Sequence, residues 1–337
     1  MLSRVAETMY WFGRLVERSG HVAQLADVHL NLWLDSGQGE SEAAADYWSR
    51  FLALCADPVA YEQTGLPVDA SSVADYVISD QHPGGILASL DAAREGARSV
   101  RESISTEVWE GINTLYWQVQ NARRERTWAT NPHAFLQPIK TSLSLLYGMI
   151  DETMLHDEGW SFLGFGRYFE RAMDTLHLLD LKYRWLWSPE TVTDEASGPI
   201  DPLQWAAILR CCWAFEPYRR HYATAVRPTR VAEFLLLNPE FPRSVSFAIR
   251  QARDLIQRID LSSRPANQTE RWLGTLAARL EYATIEEIVA EGLPQTLAFL
   301  QERCAAVEQT LLRQHFQGFS GSVPEPIVQP SGYSQQQ

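Results

Sequence analysis

The sequence predicts an all-α fold, a multi-helix bundle, on three observations. Apolar residues recur at three- and four-residue steps through most of the chain. No stretch alternates with period two between hairpin turns. The hexapeptide Gly-Arg-x-x-Glu-Arg occurs twice, as Gly13-Arg14-Leu15-Val16-Glu17-Arg18 and Gly166-Arg167-Tyr168-Phe169-Glu170-Arg171, each inside a long apolar stretch of helical character. Helical spacing brings the Arg, Glu and Arg of each copy within about one turn of one another. The repeat therefore predicts a duplicated or pseudo-symmetric bundle with charge clustered on two long helices.

The elements follow in order. Ser3 caps a helix to about Trp33, with Met9, Phe12, Val16, Val22, Leu25 and Val28 on its buried stripe, stopped by Asp35-Ser36-Gly37. A second helix spans Ser41 to Cys55 and ends at Asp57-Pro58. Tyr61–Asp69 reads as a loop and Ser71–Ser79 as a short helix before His82-Pro83-Gly84-Gly85. A long helix then carries Ile86, Leu90, Ala93, Ala97 and Val100 inward and displays Arg94, Arg98, Arg101 and Glu102. Val108, Ile112, Leu115 and Val119 mark the next helix, and Asn131-Pro132 opens one to about His156, with Pro138 as a candidate kink.

The second hexapeptide helix runs from about Gly159 to Trp187. Helices are expected over Leu203–Ala225, Thr229–Leu237, Ser244–Ile259, Gln268–Tyr282 and Ile285–Phe316, the last split or bent at Gly292-Leu293-Pro294. The domain reading is residues 1–189 as a helical half with both motif helices and 190–202 as a linker. Residues 203–317 form a second helical part packing on the first, and 318–337 a disordered tail of Ser, Gly, Pro and Gln.

Composition narrows the function classes. An apolar fraction of 45% over 337 residues suffices for a full-sized core. A formal net charge of −13 argues against nucleic-acid binding and against docking on an anionic membrane. Charged residues interrupt the hydrophobic N-terminus, so neither a signal h-region nor a membrane-spanning helix is expected, and the location expected is cytoplasmic. Cys55, Cys211, Cys212 and Cys304 lack metal-type spacing and read as buried reduced thiols. P-loop, dinucleotide, nucleophile-elbow and zinc-protease signatures are absent, so no cofactor is expected.

Three readings of the repeated cluster stand side by side. In the structural one, the two helices cross closely at the glycines, and Glu17 and Glu170 accept bidentate bonds from arginines that fix the bundle's register. In the binding one, the four motif arginines, with Arg98, Arg101, Glu102 and Arg243, line a polar cleft for an anion. In the third, Glu170, Asp174 and His177 on one helix face, with Glu17 and His21 on another, approach the ligand spacing of di-iron bundles. No Glu-x-x-His is present, and Gln24 stands opposite His177 in the repeat, so no metal is assigned.

The opening Leu2-Ser3-Arg4-Val5-Ala6-Glu7-Thr8-Met9-Tyr10-Trp11-Phe12 leading into the first hexapeptide resembles the signature of the bacterial alpha-E domain family. Further matches are Val100-Arg101-Glu102-Ser103-Ile104-Ser105 with Trp109-Glu110, Gly159-Trp160-Ser161-Phe162, Glu233-Phe234-Leu235-Leu236-Leu237 and Phe241-Pro242-Arg243-Ser244. One position departs: Gly96 stands where the family commonly has Asn, in Arg94-Glu95-Gly96-Ala97-Arg98. The resemblance implies an all-helical protein encoded beside, or fused to, a circularly permuted ATP-grasp amide ligase, often with a transglutaminase-like peptidase. Such a neighbourhood suggests peptide synthesis or modification, and joined to the Arg-rich cleft reading it gives the expected role: a non-catalytic partner of the ligase that holds an anionic peptide or acyl-phosphate in that cleft. The site residues would be Arg14, Glu17, Arg18, Arg98, Arg101, Glu102, Arg167, Glu170, Arg171 and Arg243. The alternative is an enzyme acting itself on the ligase product.

Overall fold

In chain order the helices are α1 (Ser3–Ser36), α2 (Glu42–Cys55), α3 (Pro58–Glu62), α4 (Ala70–Ile78), α5 (Ile86–Ser99), α6 (Thr106–Arg124), α7 (Thr127–Thr130) and α8 (Pro132–Thr153). They continue as α9 (Glu158–Leu186), α10 (Asp201–Cys211), α11 (Phe215–Tyr222), α12 (Pro228–Leu237), α13 (Val245–Ile259), α14 (Gln268–Tyr282), α15 (Ile285–Glu291) and α16 (Leu293–His315). The computed structural model describes residues 1–36, 42–79, 82–125, 127–186, 201–223, 225–259 and 267–316, and these contain no strand. The tail at 318–337 and residues 190–200 of the expected linker lie outside the described residues.

Side-chain caps set the starts of the helices, at Asn131 as the sequence predicts. Asp69, Ser105, Asn131 and Asn267 each accept a first-turn backbone N–H, and Thr284 with Glu287 forms a reciprocal capping box. Gly292 separates α15 from α16 with φ +96°, a conformation open to glycine and strained for other residues.

Three boundaries differ from the sequence reading. Asp57-Pro58 closes α2 but also opens α3, because the Asp57 side chain accepts the Val59 N–H and Pro58 fits the first helical turn. The helix after Gly85 stops at Ser99, and Arg101–Ser103 form a separate 3-10 turn. The stretch Leu203–Ala225 is two helices, since Trp213 takes φ +53° between α10 and α11.

Helices α1 and α9 form the centre and pack along each other; α5 and α8 lie against α1, and α13 and α16 against α9. From Phe12 to Leu30 nearly every residue of α1 is buried, polar ones included, as expected of a helix surrounded by others. One continuous apolar core runs from Ala6 to Phe316, so the helices after residue 203 share it with the first half. The crossing of α1 and α9 is reciprocal. A Cβ placed on Gly13 would collide with the Leu163 carbonyl oxygen, and one on Gly166 with the Tyr10 carbonyl oxygen. Both glycines are therefore the contact points that let two backbones approach.

Candidate functional site: a buried ionic layer

The close crossing sets the two Glu-Arg pairs against each other, and each glutamate is met from the opposite helix. Glu17 accepts Nε and Nη2 of Arg171 at 3.0 and 2.8 Å, a bidentate pair. It also meets Arg243 Nη1 at 2.9 Å and the Tyr147 hydroxyl at 2.6 Å. Glu170 accepts Arg18 Nε at 2.6 Å through one oxygen and Arg14 Nε through the other. Arg14 extends the layer to α16, donating to Glu308 and, at 2.7 Å, to the Tyr10 hydroxyl, which itself donates to Glu308 at 2.9 Å.

The repeat is broken at one place. Arg14 reaches the opposite glutamate, whereas its counterpart Arg167 turns outward, stacks on the Tyr147 ring at 3.8 Å and lies 3.6 Å from Asp151. Arg243 takes the place left on Glu17. The segment carrying it is docked on α9: Arg171 donates to the Pro242 carbonyl at 3.3 Å and Thr175 to that of Arg243 at 3.0 Å. The Trp213 ring covers its guanidinium at 4.0 Å.

Burial pushes the Glu17 carboxyl upward, but Arg171 and Arg243 outweigh it and hold the group far below the ordinary carboxylate range. For Glu170, burial is likewise outweighed by Arg14 and Arg18. Both carboxylates are thus permanently charged and hydrogen-bonded, a state that suits structural pairing and not proton abstraction. One turn further along, His21 and Asp174 occupy matching positions of the repeat. Burial and the charge of Arg243 lower His21 to about 3, while burial, Glu170 and Glu17 raise Asp174 well above its usual value. His21 is therefore neutral at pH 7.

Of the residues singled out in the sequence, Arg14, Glu17, Arg18, Glu170, Arg171 and Arg243 meet in this layer, and Arg167 lies at its edge. Arg98, Arg101 and Glu102 do not join it. They lie on the surface at the end of α5, where Arg98 pairs with Glu95 at 3.4 Å and Arg101 stacks on Trp109 at 5.1 Å. The di-iron arrangement fails on chemistry, because guanidiniums occupy the oxygens a metal would need. Among the described residues no three His, Cys, Asp or Glu side chains converge as ligands. Sequence reasoning missed Tyr10, Tyr147 and Glu308. Only Tyr10 had a local signal, one turn before Arg14; the other two arrive from α8 and α16.

The family comparison fits this geometry. Residues 1–316 match the family Alpha-E, described as a predicted alpha-helical domain with a conserved ER motif. The chain belongs to the Alpha-E family. Its two Glu-Arg pairs, Glu17-Arg18 and Glu170-Arg171, are the residues that build the layer. Among curated relatives, an uncharacterized protein of Mycobacterium bovis is 23% identical over 315 residues, covering 88% of this chain and 34% of the relative. An uncharacterized protein of Mycobacterium tuberculosis matches to the same extent, 23% over 315 residues and 34% of its length. The chain therefore spans about a third of the length of the curated relatives it matches. No solved structure matches it. Among the described residues no helix is long and apolar enough to cross a membrane.

Proposed function

We propose that the chain is the non-catalytic helical partner of an ATP-grasp-type amide ligase in peptide synthesis or modification, presenting an anionic peptide or acyl-phosphate to it. The observation that carries this reading is the state of the motif carboxylates. Glu17 and Glu170 are each closed off by two guanidiniums, so the most distinctive side chains of the fold build a rigid centre and offer no free base. The matched region makes up about a third of its curated relatives, which agrees with a module working beside other domains. The link to the ligase comes from the family resemblance in the sequence.

The test is to co-express the chain with a circularly permuted ATP-grasp ligase encoded beside it, purify the pair, and measure ATP-dependent amide formation by the ligase with and without the chain. The reading expects a stable pair and ligase turnover that depends on the chain, with no turnover by the chain alone. Conversion of the ligase product by the isolated chain would overturn it in favour of an enzyme.

A further inference from the structure

The repeat leaves one motif arginine unused. Arg14 is bonded to Glu170, Glu308 and Tyr10, whereas its counterpart Arg167 has a buried Nε with no hydrogen-bond partner. Glu17, the acceptor that the repeat would offer it, is filled by Arg171, Arg243 and the Tyr147 hydroxyl. Arg167 lies instead 3.6 Å from Asp151, too far for a hydrogen bond. The Asp151 side chain is 48% exposed and well hydrated, while that of Arg167 is 16% exposed. A guanidinium so covered is ordinarily hydrogen-bonded, yet this one is held by the Tyr147 ring at 3.8 Å and by no acceptor.

A cavity of about 50 Å³ opens beside it, among α8, α9 and α13. Arg167 shares this space with Asp151, the Gln251 amide, the rings of Trp160 and Tyr168, and apolar lining that includes Leu255. One water needs roughly 10–15 Å³ of such space, so the room is that of a few waters or of one small group. The donors on offer are the planar Arg167 fork, which matches a carboxylate, and the Gln251 amide. A second guanidinium, that of Arg258, lies 5.8 Å from the Trp160 ring. Two positive groups thus stand against the half-exposed Asp151 carboxylate, in a chain whose net charge is −13.

We propose that Arg167 and Gln251 receive a carboxylate group of an acidic peptide in this cavity, in place of the loose contact with Asp151. This deepens the reading above and rests on it for the peptide; the carboxylate rests on the cavity and on the unused arginine.

The experiment labels the full chain with 15N-arginine and 15N-tryptophan. It is titrated at constant ionic strength with acetate, N-acetylglycine, aspartate blocked at both backbone ends, inorganic phosphate and the neutral probe acetamide. The reporters are the Arg167 Nε–H and Trp160 indole resonances, assigned by their loss in Arg167→Gln and Trp160→Phe. The expected result is a saturable shift of both with the carboxylates and none with acetamide; the tighter of N-acetylglycine and blocked aspartate tells a chain end from a side chain. Read at Trp160, Arg167→Gln weakens acetate binding at least about tenfold, as loss of a charge-assisted pair does. Asp151→Asn tightens it by about two- to fivefold, because a competing exposed charge is gone. Resonances that stay put with every carboxylate would mean that water fills the cavity, and would overturn the proposal. Acetate binding that Arg167→Gln leaves intact, weaker binding by Asp151→Asn, or phosphate bound more tightly than any carboxylate would each overturn it as well. Because no ligase is present, failure here leaves the partner reading standing, and failure of the ligase assay leaves carboxylate binding standing.

Discussion

Gly13→Ala is the smallest change that reaches the centre of this fold. It adds one methyl where α1 meets α9, and the new carbon would overlap the Leu163 carbonyl oxygen while also lying 3.0 Å from the Leu163 carbonyl carbon and the Arg167 nitrogen. All three atoms belong to helix backbone, so no side chain can swing aside and the helices must part. Overpacking of this kind costs about 1–3 kcal/mol. Parting also lengthens the bonds from Arg18 to Glu170 and from Arg171 to Glu17, which are 2.6–3.0 Å and buried. Weakening them adds about 1–3 kcal/mol. The expected loss is roughly 2–6 kcal/mol, read as a fall in melting temperature of roughly 3–9 °C for a chain of this size. Gly148→Ala in α8 is the control, since a Cβ there meets nothing within 4 Å; it should stabilise by about 0.5–1 kcal/mol. Calorimetry on both variants decides the matter. If Gly13→Ala melts with the native protein, the two helices do not touch at the glycines.

Three further outcomes are expected. Stability falls as pH drops: His21 and His82, held at about 3 and about 4, remain neutral in the fold while the unfolded chain protonates them near 6.5. Around pH 5 the two together give a slope of about 2.5 kcal/mol per pH unit, and Glu17 adds its own loss below its ordinary value, all measurable by urea titration at several pH values. Ala223→Gly stabilises by about 0.5–1 kcal/mol in the same assay, because Ala223 ends α11 with φ +50°, where glycine is at ease. The four cysteines resist a thiol reagent in the native state and all react once unfolded, because burial pushes Cys211 and Cys304 up to about 12 and raises Cys55 and Cys212 too.

The helices were legible because their signals are local. Periodicity marked Ile86, Leu90, Ala93 and Ala97 as inward, and all four are buried. Asn131-Pro132 marked a start, and Asn131 caps α8. The glycine crossing was readable too, since Gly in an apolar helix beside Arg-x-x-Glu-Arg has few other uses. What was not readable arises from packing. Trp213 breaks a helical pattern at φ +53° with its ring against Arg243 of a distant segment, and no spacing announces that contact. Arg98, Arg101 and Glu102 share the charged character of the motif but leave on the opposite side, since α5 turns its apolar face to α1. Glu308 and Tyr147 enter the layer from α16 and α8, and only the assembled bundle supplies their direction.

The central claim is that each motif glutamate pairs across the crossing and not along its own helix. A double-mutant cycle between Glu17→Gln and Arg171→Met, set beside one between Glu17→Gln and Arg14→Met, measures this directly. The account predicts a coupling of about 2–3 kcal/mol for Glu17 with Arg171, and a clearly smaller one with Arg14 on its own helix. A larger coupling of Glu17 to Arg14 than to Arg171 would contradict it.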